Sequence, residues 1–323
     1  MPGADAGSDV QWRAAARVRI ALRWSGPEAG IFQTGRNIAN MSTNRDLSLR
    51  PLKALNNNVL LAYDPACGQE VVVVGRGLGF RVSGPIRPDD PRIEKVFRLD
   101  ESRNRKRFLR LTETLSGDVI GVAEEILNLA AARFGPLGEE AHLTLAEHLA
   151  ATVDRVRKGM PIPNPFLAQI QLLYPEEYAL AGQAVEMIAS RLGVTLPEEE
   201  QGILALHLLG AWRRESPKVM ARHQALIRES AAFLAAEAGI SWSDDDPRLS
   251  RVLLHLRLAI DLIVSGKAET NPVLDRIRSE YPEEFARARR LGDYMAQRLE
   301  RPVSDDEVGY LALHLLRLKN LTQ

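Results

Sequence analysis

The 323-residue chain has a single cysteine, Cys67, and only 6% aromatic residues. One thiol excludes an internal disulfide framework and a cysteine-based zinc cluster. No apolar run approaches the roughly 18 residues that a membrane span needs. The N-terminus lacks a basic start followed by an apolar core, so no secretory signal is read there and the expected address is the cytoplasm. No HExxH motif and no recognisable spacing of nucleophile and base or of paired carboxylates is present, so neither an enzyme nor a metal or cofactor is expected. Lysine is scarce, at 7 against 35 arginines. That bias suggests a GC-rich genome and says nothing of a substrate.

What is present begins with a hidden charge asymmetry. The 42 Lys+Arg balance the 42 Asp+Glu, yet residues 47–98 carry a net +3 and residues 1–46 a net +2, leaving −5 for 99–323. A basic front on an acidic back points to an anionic partner near the N-terminus.

The back of the chain is duplicated. NPFLAQIQLLYPEEYALA from Asn164 and NPVLDRIRSEYPEEFARA from Asn271 lie 107 residues apart, as do EQGILALHLL from Glu200 and EVGYLALHLL from Glu307. Aligning 148–209 with 255–316 gives 25 identities in 62 positions without a gap. An offset this long marks two copies of one domain rather than a solenoid, and a unit of about 100 residues can hold its own core.

Both copies read as helical. Leu145, His148, Leu149, Thr152, Val153 and Val156 recur at 3–4 spacing on one face of a helix that stops at Gly159. Ser304 followed by Asp305, Asp306 and Glu307 is a capping box, with the serine accepting from first-turn amides and the glutamate reaching back. The helix it opens is apolar on nearly every side and is expected to be buried. The Asn-Pro pairs at 164–165 and 271–272 predict helix starts with proline in the first turn.

The front segment has short β-type runs. Val59–Tyr63 and Glu70–Val74 flank DPACG, a hairpin loop, and a last strand is expected around Phe80–Val82 after the Gly75, Gly77, Gly79 break. Such a four-stranded antiparallel sheet cannot bury a sufficient core alone and should dimerise or pack on something. Residues 1–40 show no periodicity; an extension over 1–46, disordered or a misassigned start with Met41 the better beginning, is the reading there. The fold class is therefore multidomain: a small antiparallel β-domain followed by two tandem all-α bundles.

Four of the six histidines obey the repeat. His148 and His207 are 59 apart, as are His255 and His314. A histidine on an apolar helix face is ordinarily a satisfied core residue. Retention of both positions in both copies argues for more, and a neutral imidazole is a good phosphoryl acceptor. GRGLGF lies between strands and lacks Gly-Lys-Ser/Thr, so the phosphoryl group must come from another protein. In the front segment Asn56–Asn57–Asn58 reads plainly as a turn and Gly75–Gly79 as a tight bend. The functional alternative is a sheet face that docks RNA. Asn58 would meet base or ribose edges, Lys53 and Arg76 phosphates, and Phe80 an unpaired base, while Gly75 and Gly77 admit close backbone approach. No helix-turn-helix is present to enter a DNA groove.

KALNNNVLLA, QEVVVVGRGLGF and RIEKVF together closely resemble the co-antiterminator (CAT) RNA-binding domain of the BglG/SacY family of transcriptional antiterminators. The two repeats resemble that family's phosphotransferase-system regulation domains (PRDs). The resemblance covers about 47–320. It implies a CAT domain over 47–105, a first PRD over 106–215 and a second over 216–323. It further implies a homodimer that binds a leader-mRNA antiterminator hairpin and prevents terminator formation in a sugar-utilisation operon. RNA contacts would fall on Lys53, Asn58, Gly75, Arg76 and Phe80. Phosphorylation would fall on His148, His207, His255 and His314, with a sugar permease enzyme II component and the histidine phosphocarrier protein as donors. Glu147 stands where relatives often carry aspartate before the first histidine. The rival reading is a phosphorylation-dependent protein-interaction regulator whose front sheet only dimerises.

Overall fold

A computed structural model describes residues 47–80, 82, 84–241, 247–267 and 269–320. The extension read over 1–46 lies outside the described residues. Strands β1 (Arg50–Ala54), β2 (Val59–Asp64), β3 (Gln69–Val74) and β4 (Lys95–Arg98) form one antiparallel sheet in chain order. The β2–β3 hairpin pairs Val59 with Val74 and Asp64 with Gln69. Its DPACG turn closes with Gly68 at φ 71° and with the Asp64 carboxylate accepting from Ala66 N at 2.9 Å. A left-handed φ at that corner is what glycine supplies.

Of the strand expected around Phe80–Val82, the described residues Phe80 and Val82 lie in no strand and residue 81 lies outside the described residues; β3 pairs instead with β4, Val72 opposite Phe97. The backbone after β3 is already committed. Gly75 N donates to Asn58 O at 2.8 Å and Gly79 N to Asn57 O at 3.0 Å, which folds 75–80 back onto the asparagine turn. A segment so bent has no extended edge to offer a neighbour.

Eleven helices follow among the described residues. The first group is α1 (Ser102–Thr114), α2 (Gly117–Phe134), α3 (Glu140–Arg157), α4 (Leu167–Leu173), α5 (Pro175–Leu192) and α6 (Glu198–Arg213). The second is α7 (Pro217–Glu237), α8 (Pro247–Val264), α9 (Leu274–Glu280), α10 (Pro282–Leu299) and α11 (Asp305–Asn320). The starts of α3 to α6 and of α8 to α11 differ by the same 107 residues, so the duplication is one of structure as well as sequence.

The Asn-Pro pairs do a different job from the one expected. Pro165 and Pro272 lie in the turn before the helix, and α4 and α9 start at Leu167 and Leu274. Asn164 Oδ1 accepts from Phe166 N at 3.0 Å while its Nδ2 donates to Glu199 O at 3.0 Å. Asn271 repeats this with Val273 N and Asp306 O. Each asparagine thus ties a short helix to the start of the histidine-bearing helix that follows. The prolines that do open helices are Pro175, Pro217, Pro247 and Pro282. Ser304 caps as read, its hydroxyl accepting from Glu307 N at 3.2 Å, whereas the Glu307 side chain is buried. Nor is α11 buried all round: Leu313 is 36% exposed where its counterpart Leu206 on α6 is 7% exposed. The difference follows from packing, because α6 is enclosed by α2, α3, α4, α5 and α7.

The sheet solves its core problem by packing in cis. Alternation puts Val59, Leu61, Val72, Val74 and Phe97 on one face, in the same buried cluster as Phe108, Val119, Ile120 and Ala123 of α1 and α2. The opposite face, with Leu60, Ala62, Val71 and Val73, closes over Leu49, Leu78 and Ile86. Period-two alternation with both faces covered explains the near-continuous apolar strands. A core unbroken between the sheet and the first helices makes them one folding unit. Among the described residues no helix is long and apolar enough to cross a membrane.

Candidate functional sites

The first site is the loop end of the sheet. Asn56 makes an Asx turn, its Oδ1 accepting from Asn58 N and Val59 N, both at 2.8 Å. That turn aims Asn58 across to the glycine loop, where Gly77 N donates to Asn58 Oδ1 at 3.0 Å. Gly77 takes φ 68°, open only to glycine without strain. Asn58, Gly75, Arg76 and Phe80 therefore meet at one end of the sheet. The Arg76 side chain is 95% exposed, with Glu94 3.7 Å away, and Phe80 is 59% exposed. A cation and an aromatic ring beside amide groups can bind a phosphate and stack a base. Lys53 sits on β1 near that end, but its Nζ donates to Thr112 O in the last turn of α1. That contact suits a cation at a helix C-terminus.

The helices reach this site. Glu125 of α2 accepts from Asn56 Nδ2 at 2.7 Å and from Asn58 Nδ2 at 3.2 Å. Arg191, in the last turn of α5, stands 3.4 Å from the same carboxylate. Sequence reasoning missed Glu125 and Arg191, which lie 67 or more residues from the asparagines with no motif linking them.

The second site is the histidine pair of each repeat. The rings of His148 on α3 and His207 on α6 stack with centroids 4.3 Å apart. His255 on α8 and His314 on α11 are 4.4 Å apart. The matched spacing in sequence thus becomes contact in space. In the first pair His148 Nε2 is 2.9 Å from Glu200 Oε2, and Thr152 Oγ1 donates to Glu200 Oε1 at 3.0 Å. Burial and the neighbouring His148 hold the His207 imidazole well below its usual range, and its Nδ1 has no hydrogen-bond partner. In the second pair burial, with His255 beside it, brings His314 down to about 4, and burial also lowers His255. Ala259 replaces Thr152, and Glu307 replaces Glu200. Burial and the nearby Glu269 push the Glu307 carboxyl up to about 7. The glutamates were legible in the repeat, since both stand seven residues before the second histidine of their pair.

A small two-faced sheet carrying a half-exposed amide beside an exposed cation and ring, joined to a duplicated bundle with one stacked histidine pair in each copy, has the build of a ligand-binding head on two like modules. Comparison with known proteins agrees. The CAT RNA binding domain family matches residues 52–106, and the PRD domain family matches 124–211 and 230–318. The transcription antiterminator LicT of Bacillus subtilis (strain 168) is 28% identical over 82% of this chain and 97% of its own. The PtsGHI operon antiterminator of the same organism is 30% identical over 83% and 96%. The beta-glucoside operon antiterminator of Dickeya chrysanthemi is 28% identical over 84% and 97%. A crystal structure of GlcT CAT-PRDI is 34% identical and covers 51% of this chain and 98% of that one, with a TM-score of 0.44. The chain belongs to the family of transcription antiterminators built from a CAT RNA-binding domain and two PRD domains. Proteins of that family are named as regulators of transcription, not as enzymes.

Proposed function

We propose that the chain is a cytoplasmic antiterminator that, as a homodimer, binds a leader-mRNA hairpin through the loop end of its sheet and prevents terminator formation in a sugar-utilisation operon. The observation that carries this reading is the convergence of Asn58, Gly75, Arg76 and Phe80 at one end of the sheet in a chain of this family. The names of its relatives, among them a beta-glucoside operon antiterminator, support the sugar operon.

Control rests on phosphorylation of His148, His207, His255 and His314, with a sugar permease enzyme II component and the histidine phosphocarrier protein as donors. In each transfer the bond from phosphorus to the donor's phosphorylated side chain breaks as a phosphorus–nitrogen bond to the acceptor ring forms. An acceptor ring must be neutral to offer its lone pair, and burial keeps His207, His255 and His314 so. The His207 ring is partly exposed but its Nδ1 is buried, so a donor reaches that nitrogen only when α6 parts from its neighbours. Once there, about two negative charges beside the Glu200 carboxylate oppose reclosure. The histidine pair thereby converts a modification into repacking of α3 against α6.

The test is a gel shift of the full chain with the leader RNA of its neighbouring operon at fixed salt, since phosphate contacts make affinity salt-dependent. Asn58→Ala and Phe80→Ala should each weaken binding by about tenfold or more. A folded chain with no RNA affinity sinks this reading and leaves a protein-interaction regulator whose sheet only dimerises.

A further inference from the structure

We infer that Glu125 is an occupant in cis of the RNA site: the first regulatory repeat presents a carboxylate to the asparagine turn that RNA must displace. This rests on the RNA reading of the loop end.

An ionised carboxylate is an acceptor with two oxygens, and here each oxygen takes one asparagine amide, Asn56 on Oε1 and Asn58 on Oε2. Asn58 Oδ1 is meanwhile held by Gly77 N. The amide donor that a base, ribose or phosphate oxygen would accept from is therefore already engaged. A phosphate seated beside it would also face the Glu125 charge. Lys53, the other cation assigned to RNA, is engaged on the end of α1. Two of the five assigned positions are thus tied to helices in this structure.

The surface that receives the turn is built for close approach. Gly117, Gly121 and Glu125 are spaced four apart and share one face of α2. A Cβ on Gly121 would stand 2.5 Å from Asn56 Cγ, and one on Gly117 would stand 2.7 Å from Leu55 O. Glycine is a poor helix former. α7, which precedes the α8–α11 series as α2 precedes α3–α6, contains no glycine at all. Arg191 at 3.4 Å steadies the carboxylate from α5. α2 packs directly on α3 and α6, the helices that carry His148, Glu200 and His207. Repacking at the first histidine pair therefore acts on the element that holds Glu125.

The experiment uses the full chain and a labelled leader-RNA hairpin, read by fluorescence anisotropy at fixed salt. Glu125→Gln and Glu125→Ala should tighten binding about fivefold or more. Hydrogen exchange of residues 55–58 should rise in both variants relative to wild type. Asp118→Asn serves as the charge control. Asp118 is exposed on α2 beside the same cleft, so this change removes one negative charge but neither bond to the asparagines. Equal tightening by Asp118→Asn and Glu125→Gln would overturn the proposal in favour of general charge repulsion. Unchanged affinity in the Glu125 variants, with Asn58→Ala still losing binding, would overturn the proposal and leave the RNA reading standing. Absence of RNA binding in every folded variant would overturn both.

Discussion

Glu200 and Glu307 hold the same position in the two repeats and stand in opposite electrostatic settings. Glu200 is paired with the His148 ring and the Thr152 hydroxyl. Glu307, with Ala259 in place of that threonine, lies near Glu269, and its carboxyl is raised to about 7. Two differences between the copies, Ala259 for Thr152 and Glu269 for Ile162, make the two histidine pairs electrostatically distinct.

The first prediction follows from that contrast. Glu200→Ala strips a partly buried histidine and a buried threonine of their shared acceptor and should destabilise the chain by about 2–4 kcal/mol. Glu307→Ala at pH 8 should be close to neutral, because it removes a carboxylate whose ionisation is itself unfavourable. Urea unfolding of both variants at pH 8 measures the difference, and equal losses would contradict it.

A second prediction concerns pH. The folded-state value of Glu307 lies above its ordinary 4.5, so the folded chain binds the proton more tightly than the unfolded chain. The stability this confers is full below about 4.5 and is lost as pH rises through 7. His314 works the other way: its folded value of about 4 lies below 6.5, so its contribution is full above 6.5 and is lost as pH falls toward 4. Glu307→Gln should therefore stabilise the protein at pH 8 by about 3 kcal/mol, with the gain shrinking toward pH 5. Thermal melts between pH 5 and 8 would show a pH-independent offset if the reading is wrong.

A third prediction tests the contact between sheet and helix. Alanine outranks glycine inside a helix, so Gly121→Ala should stabilise α2 taken alone. In the folded chain the added methyl meets Asn56, and a net loss of about 1–2 kcal/mol is expected. A raised urea midpoint would mean that the asparagine turn does not rest on this face.

The fourth concerns the sheet by itself. Fragment 47–100 leaves Val59, Leu61, Val72, Val74 and Phe97 without the α1 and α2 side chains that cover them. Such a face in a domain this small is covered by a second copy or the fragment unfolds. Sedimentation should show association that rises with concentration whenever the fragment is folded; a folded monomer at high concentration contradicts it.

The sequence by itself determined the duplication, the all-α character of the back half, two of the four strands, the pairing of the histidines and the family. Each is written in local pattern: period two in VVVV and VLLAY, period 3.6 around His148, and a constant offset of 107 residues. Periodicity names an element and its inward face, but it carries no information on which other element covers that face. Hence the fourth strand was misplaced, since whether residues after Gly79 extend depends on the asparagine turn holding the loop. Only the tertiary structure decided that the sheet shares a core with α1 and α2. The same is true of Glu125, a residue with no local signature that meets Asn56 and Asn58 because α2 carries glycine where the turn must come close. The split between Glu200 and Glu307 was likewise settled by packing: identical residues in identical motifs differ through a hydroxyl and a second carboxylate that the fold alone brings beside them.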